Sequence, residues 1–184
     1  LPSCTDGSIK VSEFHFSHDK YAVKYGGPFF GNIYARFRMR QIEKVAAKLD
    51  KFIVLTKSDK KDWEPFVPNV ASIYNPLTFK SEEVAALDNK KCIAIGRLES
   101  QKNFRDLVAA WKYVAEEYPD WVLEIYGNGS LKESLQKQIT SLGLDLQVRL
   151  MGSSSDIRSK MLDSSCLVMS SAYEGFPMVL GEAM

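Results

Sequence analysis

Between residue 91 and the end of the chain, short apolar runs alternate with longer segments of helical spacing. The apolar runs predict strands at 91–96, 121–127, 146–152 and 165–170. The segments between them predict helices at about 103–118, 130–142 and 155–162, and another helix begins near residue 177. Because repeated strand–helix units are typical of a parallel sheet, we predict an α/β, Rossmann-like fold with helices on both faces.

The pattern in the first part of the chain is less regular. It predicts strands at 9–16, 51–56 and 70–76, and a helix at 32–48 that Asn32 caps. Ser58 is expected to cap a brief helix that ends before Pro65. Residues 17–31 are predicted to be a loop, and residues 81–87 a short acidic helix.

The composition is that of a globular protein, with 45% hydrophobic and 26% charged residues and a net charge of +1. No apolar run approaches the length of a transmembrane helix. Cys92 and Cys166 fall within apolar runs, which predicts buried free thiols. The chain has three cysteines without the spacing of a disulfide framework, which argues for a reducing compartment.

Positive charge is concentrated in one stretch of the chain. Residues 36–61 contain nine basic and three acidic residues. Such a stretch suits phosphate, an anionic membrane surface or nucleic acid, and the alternative interpretation is a solvated helix face.

Ligands of open parallel sheets bind outside the carboxyl ends of the strands, so the four strand-to-helix turns are the candidate site. The first turn carries Arg97 and Lys102 just before a helix, where two cations suit a diphosphate. The alternative is that Arg97 bonds carbonyl groups and Lys102 is solvated. The second turn, "YGNGS", has Gly127 and Gly129 but matches neither a Walker loop nor the dinucleotide fingerprint.

The last turn, within "SSAYEGFPMVLGEAM", places two carboxylates eight positions apart. Glu182 would lie in a helix and accept bonds from ribose hydroxyls, and Glu174 would hold a second polar group, unless both are merely solvated. His15 ends the first predicted strand and suits a general base or a hydrogen-bond donor. His18 makes a weakly metal-like pair with it, but no third ligand candidate is near, which argues against zinc.

The order of these motifs is more specific than any one of them. "GRLESQKN", followed about 70 residues later by "SSAYEGFPMVLGEAM", resembles glycosyltransferase family 4, whose members are retaining enzymes of the GT-B fold. The resemblance implies a catalytic set of four residues: His15, Arg97, Lys102 and Glu174. It also implies a donor-binding set on the rim turns: Gly96, Arg97, Lys102, Gly127, Gly129, Gly152, Glu174, Gly175, Phe176, Pro177 and Glu182.

The resemblance implies transfer of a hexose, with retention, from a UDP- or GDP-linked sugar to a saccharide or lipid-linked acceptor. Cell-surface polysaccharide or lipopolysaccharide biosynthesis is the expected setting, in the cytoplasm with peripheral contact at the inner face of the membrane. No cofactor, metal or nucleic acid is expected, and the chain lacks Asp-x-Asp. The alternatives are a nucleotide-sugar epimerase of the GT-B type or a non-catalytic nucleotide-sugar-binding module. An NAD enzyme or a receiver-like domain is disfavoured because the dinucleotide fingerprint is missing.

The resemblance also implies parts of two Rossmann-like domains. Residues 1–77 are expected to be the end of the acceptor-binding domain and its linker, and residues 78–184 a donor-binding domain cut short at its C-terminus. We therefore expect an internal fragment that by itself binds donor weakly and shows little or no turnover.

Overall fold

The computed structural model describes residues 5–18, 20, 30–79 and 82–184. The chain divides into two compact units. Unit one comprises the residues up to Pro76 together with Tyr173–Met178, and unit two comprises Leu77–Ala172 and Val179–Met184. The segment Tyr173–Met178 thus groups with unit one, although the sequence analysis placed it in the second domain. The assignment of acceptor binding and donor binding to the two parts stays a prediction.

Unit one is built around a three-stranded parallel sheet in the order β1-β2-β3. The elements that its described residues form are, in chain order, β1 (Val11–Phe14), α1 (Phe30–Ala46), β2 (Lys51–Val54), α2 (Lys57–Trp63) and β3 (Val70–Ser72). Both crossovers run in the same direction, so right-handed connections put α1 and α2 on one face of the sheet. The fully buried Trp63 lies at the centre of this core and packs against Phe14 and Phe52.

Unit two is built around a four-stranded parallel sheet in the order β6-β5-β4-β7. Its strands are β4 (Lys91–Ile95), β5 (Val122–Tyr126), β6 (Val148–Gly152) and β7 (Cys166–Leu167). The helices α3 (Phe104–Glu117), α4 (Lys132–Ser141) and α5 (Ile157–Leu162) connect them, and a 3-10 turn covers Ser100–Lys102. The last helix, α6 (Met178–Ala183), follows β7.

The strand order of unit two contains a change of direction. The chain moves outwards from β4 to β5 and β6, and α5 then carries it across the sheet to β7, on the other side of β4. Right-handed crossovers therefore place α3 and α4 on one face and α5 on the opposite face, as predicted. The carboxyl ends of β4 and β7 flank the topological switch point, where sheets of this class bind ligands.

The structure confirms the α/β fold but corrects several local predictions. Residues 82–87 form no helix. Within them Leu87 has a left-handed φ of 57°, and Glu83 forms an ion pair with Arg158 at 2.6 Å. The first strand is shorter than predicted, so His15 directly follows β1. The third strand ends at Ser72 rather than near residue 76. Most of the predicted loop at 17–31 lies outside the described residues.

Two further corrections concern helix starts. The helix α1 is already formed at Phe30, two residues before the predicted cap at Asn32. The second helix is capped by Thr56 rather than by Ser58. The Thr56 side chain accepts a hydrogen bond from the Asp59 backbone at 2.9 Å and donates one to the Asp59 carboxylate at 2.6 Å. This exchange satisfies a backbone donor that would otherwise be unpaired at the helix N-terminus.

The two cysteines of unit two differ in environment. Cys92 is buried as predicted, and burial raises its pKa to about 12, so its sulfur stays a thiol at neutral pH. Cys166 is exposed, against the prediction, because β7 is only two residues long and lies at the edge of the described sheet. Among the described residues, none of the helices combines the length and apolar character that crossing a bilayer requires.

Candidate functional site

Hydrogen bonds join the turns that follow the carboxyl ends of three neighbouring strands. The Leu98 amide donates to the Asn128 carbonyl at 2.9 Å, which joins the turns after β4 and β5. The Asn128 side chain donates to the Ser153 hydroxyl at 3.1 Å. The Gly127 amide donates to the Gly152 carbonyl at 2.8 Å. The predicted rim is therefore one hydrogen-bonded surface rather than a set of separate loops.

Two more hydrogen bonds close the switch point between β4 and β7. The Ser170 hydroxyl donates to the Lys102 carbonyl at 2.8 Å, and the Ala172 amide donates to the Gln101 carbonyl at 2.9 Å. The segment that leaves β7 is thus attached to the 3-10 turn that leaves β4. This attachment determines where the backbone of Lys102 lies relative to both strand ends.

The two predicted cations lie on this turn, ahead of α3. Arg97 lies two residues after the end of β4 and is exposed. The stem of Lys102 lies against Gly96, since a Cβ at Gly96 would be 2.9 Å from Lys102 Cε. Asn103, in the left-handed conformation, then leads the chain into the 14 residues of α3. Two cations beside a helix N-terminus favour an anionic ligand.

Two glycines of the second turn are required by packing. Gly127 has a φ of 143°, and a Cβ there would overlap the carbonyl oxygen of Gly96. A Cβ at Gly129 would overlap the backbone of Leu98. The "YGNGS" motif therefore permits the close approach of two backbone turns, and its contact with a ligand stays a prediction.

Glu99 is a residue of this rim that the sequence analysis did not single out. Its carboxylate accepts hydrogen bonds from the Ser130 backbone at 2.9 Å and the Ser130 hydroxyl at 3.0 Å. These bonds, with a smaller contribution from the Arg97 charge, lower the pKa of Glu99. Glu99 therefore ties the turn that carries Arg97 to the start of the next helix. The sequence does place Glu99 two residues after Arg97, on the same predicted turn, and this position could have identified it as a residue of the rim.

We expect Glu99→Gln to lower stability at neutral pH but not in acid. The folded pKa is depressed, so the carboxylate contributes stability above its unfolded pKa of about 4.3, and this is lost as pH falls through the folded value. The midpoint of urea unfolding should differ between wild type and variant at pH 7, and the difference should shrink as the pH falls from about 4.3 through the lowered pKa of Glu99. Glu116→Gln, which changes an exposed carboxylate of α3, is the control. A difference that persists unchanged in acid would contradict the assignment.

Within unit one, the structure brings His15 and the glycine of "YEGFP" together. A Cβ at Gly175 would overlap the His15 carbonyl, so the two backbones are in close contact. Phe176 packs against Tyr74 with ring centroids 5.7 Å apart, and Pro177 directly precedes α6. Glu174, the residue before Gly175, is partly buried. These predicted residues therefore gather beside the carboxyl end of β1.

The two histidines have different surroundings. The side chain of His15 is 55% exposed, and its Nε2 lies 3.5 Å from the Glu13 carboxylate. His18 pairs with Glu43 at 3.1 Å and stacks on Phe66, which indicates a structural role. Among the described residues there is no group of three or more potential metal ligands. The predicted independence from metal remains a prediction.

Glu182 lies on α6, in unit two. Its carboxylate accepts a hydrogen bond from the Thr78 hydroxyl. It lines a cavity of about 320 Å³ together with Phe79, Leu167 and Met184. Arg97 and Lys102 do not line this cavity, and the role of Glu182 in donor binding stays a prediction.

Comparison with known proteins agrees with this fold. The sequence profile of the glycosyl transferases group 1 family matches residues 78–184. An uncharacterized glycosyltransferase of Haemophilus influenzae is 36% identical over 138 residues, which cover 73% of this chain and 39% of that protein. The lipopolysaccharide 1,6-galactosyltransferase of Salmonella typhimurium is 33% identical over 125 residues, which cover 63% of this chain and 34% of that protein.

Solved structures show the same architecture. TarM of S. aureus superposes with a TM-score of 0.77 at 22% identity, over 97% of this chain and 35% of that protein. The GT-B fold that the sequence resembles is thereby confirmed, and the chain spans well under half the length of these relatives. The match over residues 78–184 shows that the chain belongs to the glycosyl transferases group 1 family.

Proposed function

We propose that the full protein transfers a hexose from a nucleotide-diphosphate sugar to a saccharide or lipid-linked acceptor, with retention at the anomeric carbon. The observation that carries this proposal is the pair of cations at the switch point of unit two. Arg97 and Lys102 lie on the turn leaving β4, and that turn is hydrogen-bonded to the chain leaving β7. Switch points are where doubly wound sheets bind ligands, and the cations select an anionic one.

In the proposed reaction, Arg97 and Lys102 stabilise the negative charge that develops on the leaving group. The bond between the anomeric carbon and the diphosphate oxygen breaks, and a bond to the acceptor oxygen forms on the same face of the sugar. Negative charge develops on the departing nucleoside diphosphate, and the acceptor proton passes to one of its oxygens. Arg97 and Lys102 stabilise this charge in the role that a metal ion plays elsewhere.

The remaining roles follow from the resemblance. Glu182 binds the ribose hydroxyls, and Glu174 holds hydroxyls of the transferred sugar. Gly175 and its neighbours line the sugar-phosphate site. His15 hydrogen-bonds the reacting sugar or acceptor. The close contact of Gly175 with the His15 backbone supports the pairing of these last two roles.

The names of relatives support particular substrates. The Salmonella relative is a galactosyltransferase that acts on lipopolysaccharide, which favours a hexose and a cell-surface glycan. TarM was crystallised with UDP, which makes a uridine nucleotide the first candidate before GDP. In this proposal the donor is a substrate, and no cofactor takes part.

We expect one class of nucleotide sugar to raise the melting temperature of the full protein. A ligand present at 100 times its Kd stabilises the folded state by about 2.7 kcal/mol, which is readily measured. UDP-, GDP- and ADP-sugars are compared on wild type, Arg97→Ala and Glu182→Ala. Lys112→Ala, on the exposed face of α3, is the matched control and should respond like wild type.

Each outcome of this panel has a consequence. A shift that Arg97→Ala abolishes supports the proposed diphosphate site. An equal shift in wild type and Arg97→Ala would contradict it. Product analysis separates the alternatives, since an epimerase changes the donor sugar without acceptor and a binding module leaves the donor intact.

A further inference from the structure

Thr78 and Glu182 are joined by a hydrogen bond although they lie 104 positions apart in the sequence. An ionised carboxylate can only accept, so the Thr78 hydroxyl donates to the Oε1 atom of Glu182. Thr78 lies in the segment that precedes β4 and Glu182 lies on α6, and both belong to unit two. The bond therefore ties the predicted ribose-binding carboxylate to a part of the chain that is remote from its own helix in sequence.

A second contact joins the same two segments. A Cβ at Gly181 would lie 2.7 Å from Leu77 Cδ2, so the Leu77 side chain packs where this glycine has no side chain. Two successive residues, Leu77 and Thr78, thus meet two successive residues of α6, Gly181 and Glu182. The helix has six residues, none of them fully buried, and so short a helix is not stable by itself. Contacts with the segment before β4 therefore help to determine where the Glu182 side chain lies.

The partner of Glu182 is a neutral group rather than a cation. Among the described residues, the charged side chains that line the cavity beside α6 are those of Glu83, Arg158 and Glu182. Arg158 pairs with Glu83 at 2.6 Å, and no ion pair within the described part of the chain involves Glu182. A hydroxyl holds one oxygen of a carboxylate without cancelling its charge, whereas a lysine or an arginine would cancel it. Thr78 thus orients Glu182 and leaves it negatively charged.

We propose that Thr78 is a positioning residue for donor binding, whose hydroxyl orients the Glu182 carboxylate so that its second oxygen accepts hydrogen bonds from the ribose hydroxyls. The inference rests on the proposed function, in which Glu182 binds the ribose. An unattached glutamate side chain samples several rotamers, and ligand binding must immobilise one of them. A carboxylate that is already oriented avoids part of this entropic cost, so the donor binds more tightly.

A positioning role and a purely structural role predict different results. If the bond only attached α6 to the segment before β4, its loss would affect every ligand of the site alike. If the bond orients Glu182 toward the ribose, its loss matters only for a ligand that carries ribose hydroxyls. Removing the hydroxyls from the nucleotide therefore separates the two roles.

The test measures the affinity of the full protein for UDP and GDP, and for their 2′,3′-dideoxy analogues, by isothermal titration calorimetry. Wild type should bind one of the two ribonucleotides about tenfold or more tightly than its dideoxy analogue, because the analogue lacks the hydrogen bonds to a charged group. Thr78→Val should weaken binding of that ribonucleotide about fivefold and change binding of the dideoxy analogue by less than about twofold. Thr78→Ser keeps the hydroxyl and should bind like wild type.

The matched control removes the same kind of bond elsewhere in unit two. The Thr140 hydroxyl donates to the Asp145 carboxylate at 2.7 Å, and both residues are exposed. Thr140→Val should therefore bind both nucleotides like wild type. In a Glu182→Ala background, Thr78→Val should cause no further loss, because the group that it orients is gone. Thr78→Ala removes the hydroxyl without the branched side chain of valine, and circular dichroism checks that each variant is folded.

The outcomes distinguish this inference from the proposed function. An equal loss of affinity for the ribonucleotide and its dideoxy analogue in Thr78→Val and Thr78→Ala, or no loss, would overturn the positioning role and leave the proposed function in place. A wild type that does not distinguish the two nucleotides would contradict the ribose role of Glu182 and this inference with it. Binding of neither UDP nor GDP by wild type would contradict the proposed function itself.

Discussion

Lys102→Ala is expected to lower kcat/KM for sugar transfer by the full protein by about 10²–10³-fold. Its stem lies along Gly96 and its carbonyl is held by Ser170, so the cation is positioned before donor arrives. A preorganised charge that faces developing negative charge contributes more to the transition state than to binding of the ground state. Most of the loss should therefore appear in kcat, with a smaller change in KM.

The controls for this prediction separate charge from structure. The Lys102 carbonyl accepts the Ser170 bond whatever the side chain, so Lys102→Ala should keep the turn in place. Lys102→Met keeps most of the stem against Gly96 without the charge and should be nearly as impaired. Lys112→Ala should stay within about twofold of wild type. Activity of Lys102→Met near the wild-type level would show that the cation is not used.

Gly127→Ala is expected to be the most destabilising single substitution on the rim. The added methyl group would overlap the Gly96 carbonyl, and the φ of 143° is one that residues with a Cβ rarely adopt. Moving Gly96 would disturb the strand end and the turn that carries the cations. We expect a loss of more than about 3 kcal/mol in the free energy of unfolding, measured by urea denaturation.

Gly143→Ala is the matched comparison for this effect. Gly143 also has a positive φ, 69°, but nothing lies within 4 Å of the Cβ that alanine would add. Its cost should therefore be backbone strain alone, on the order of 1 kcal/mol. If Gly127→Ala and Gly143→Ala lowered the free energy of unfolding by similar amounts, the rim backbone would be able to move away from the added methyl group at no energetic cost, contrary to the packing described.

Local sequence patterns were sufficient to predict most of the strands and helices of unit two. In unit two, strand-like apolar runs that end in Gly or Ser and precede helical segments were enough to predict β4, β5 and β6 and the helices after them. The same alternation placed Arg97 and Lys102 at a strand end. The predictions that failed depended on single residues: Ser58 was taken as a cap although Thr56 fills that role, and 81–87 as a helix although Leu87 is left-handed.

Several features of the rim arise only from contacts between distant parts of the chain. The bonds from Ser130 to Glu99 span 31 positions, and the bond from Ser170 to Lys102 spans 68. The contact of Gly175 with His15 joins residues still farther apart in sequence. No local pattern indicates such pairs, because they depend on the order of strands within each sheet.

The amino-acid sequence by itself determined the parallel α/β class, the family and the residue types available at each strand end, since these follow from periodicity and motif spacing. Only the tertiary structure decided that the chain crosses from β6 to β7, which creates the switch point where the turns from β4 and β7 meet. It alone decided which side of α1 faces solvent, because burial of Met39 excludes burial of Phe37 on the same helix. Strand order and helix rotation are set by competition among distant apolar groups for one core, and periodicity cannot resolve that competition.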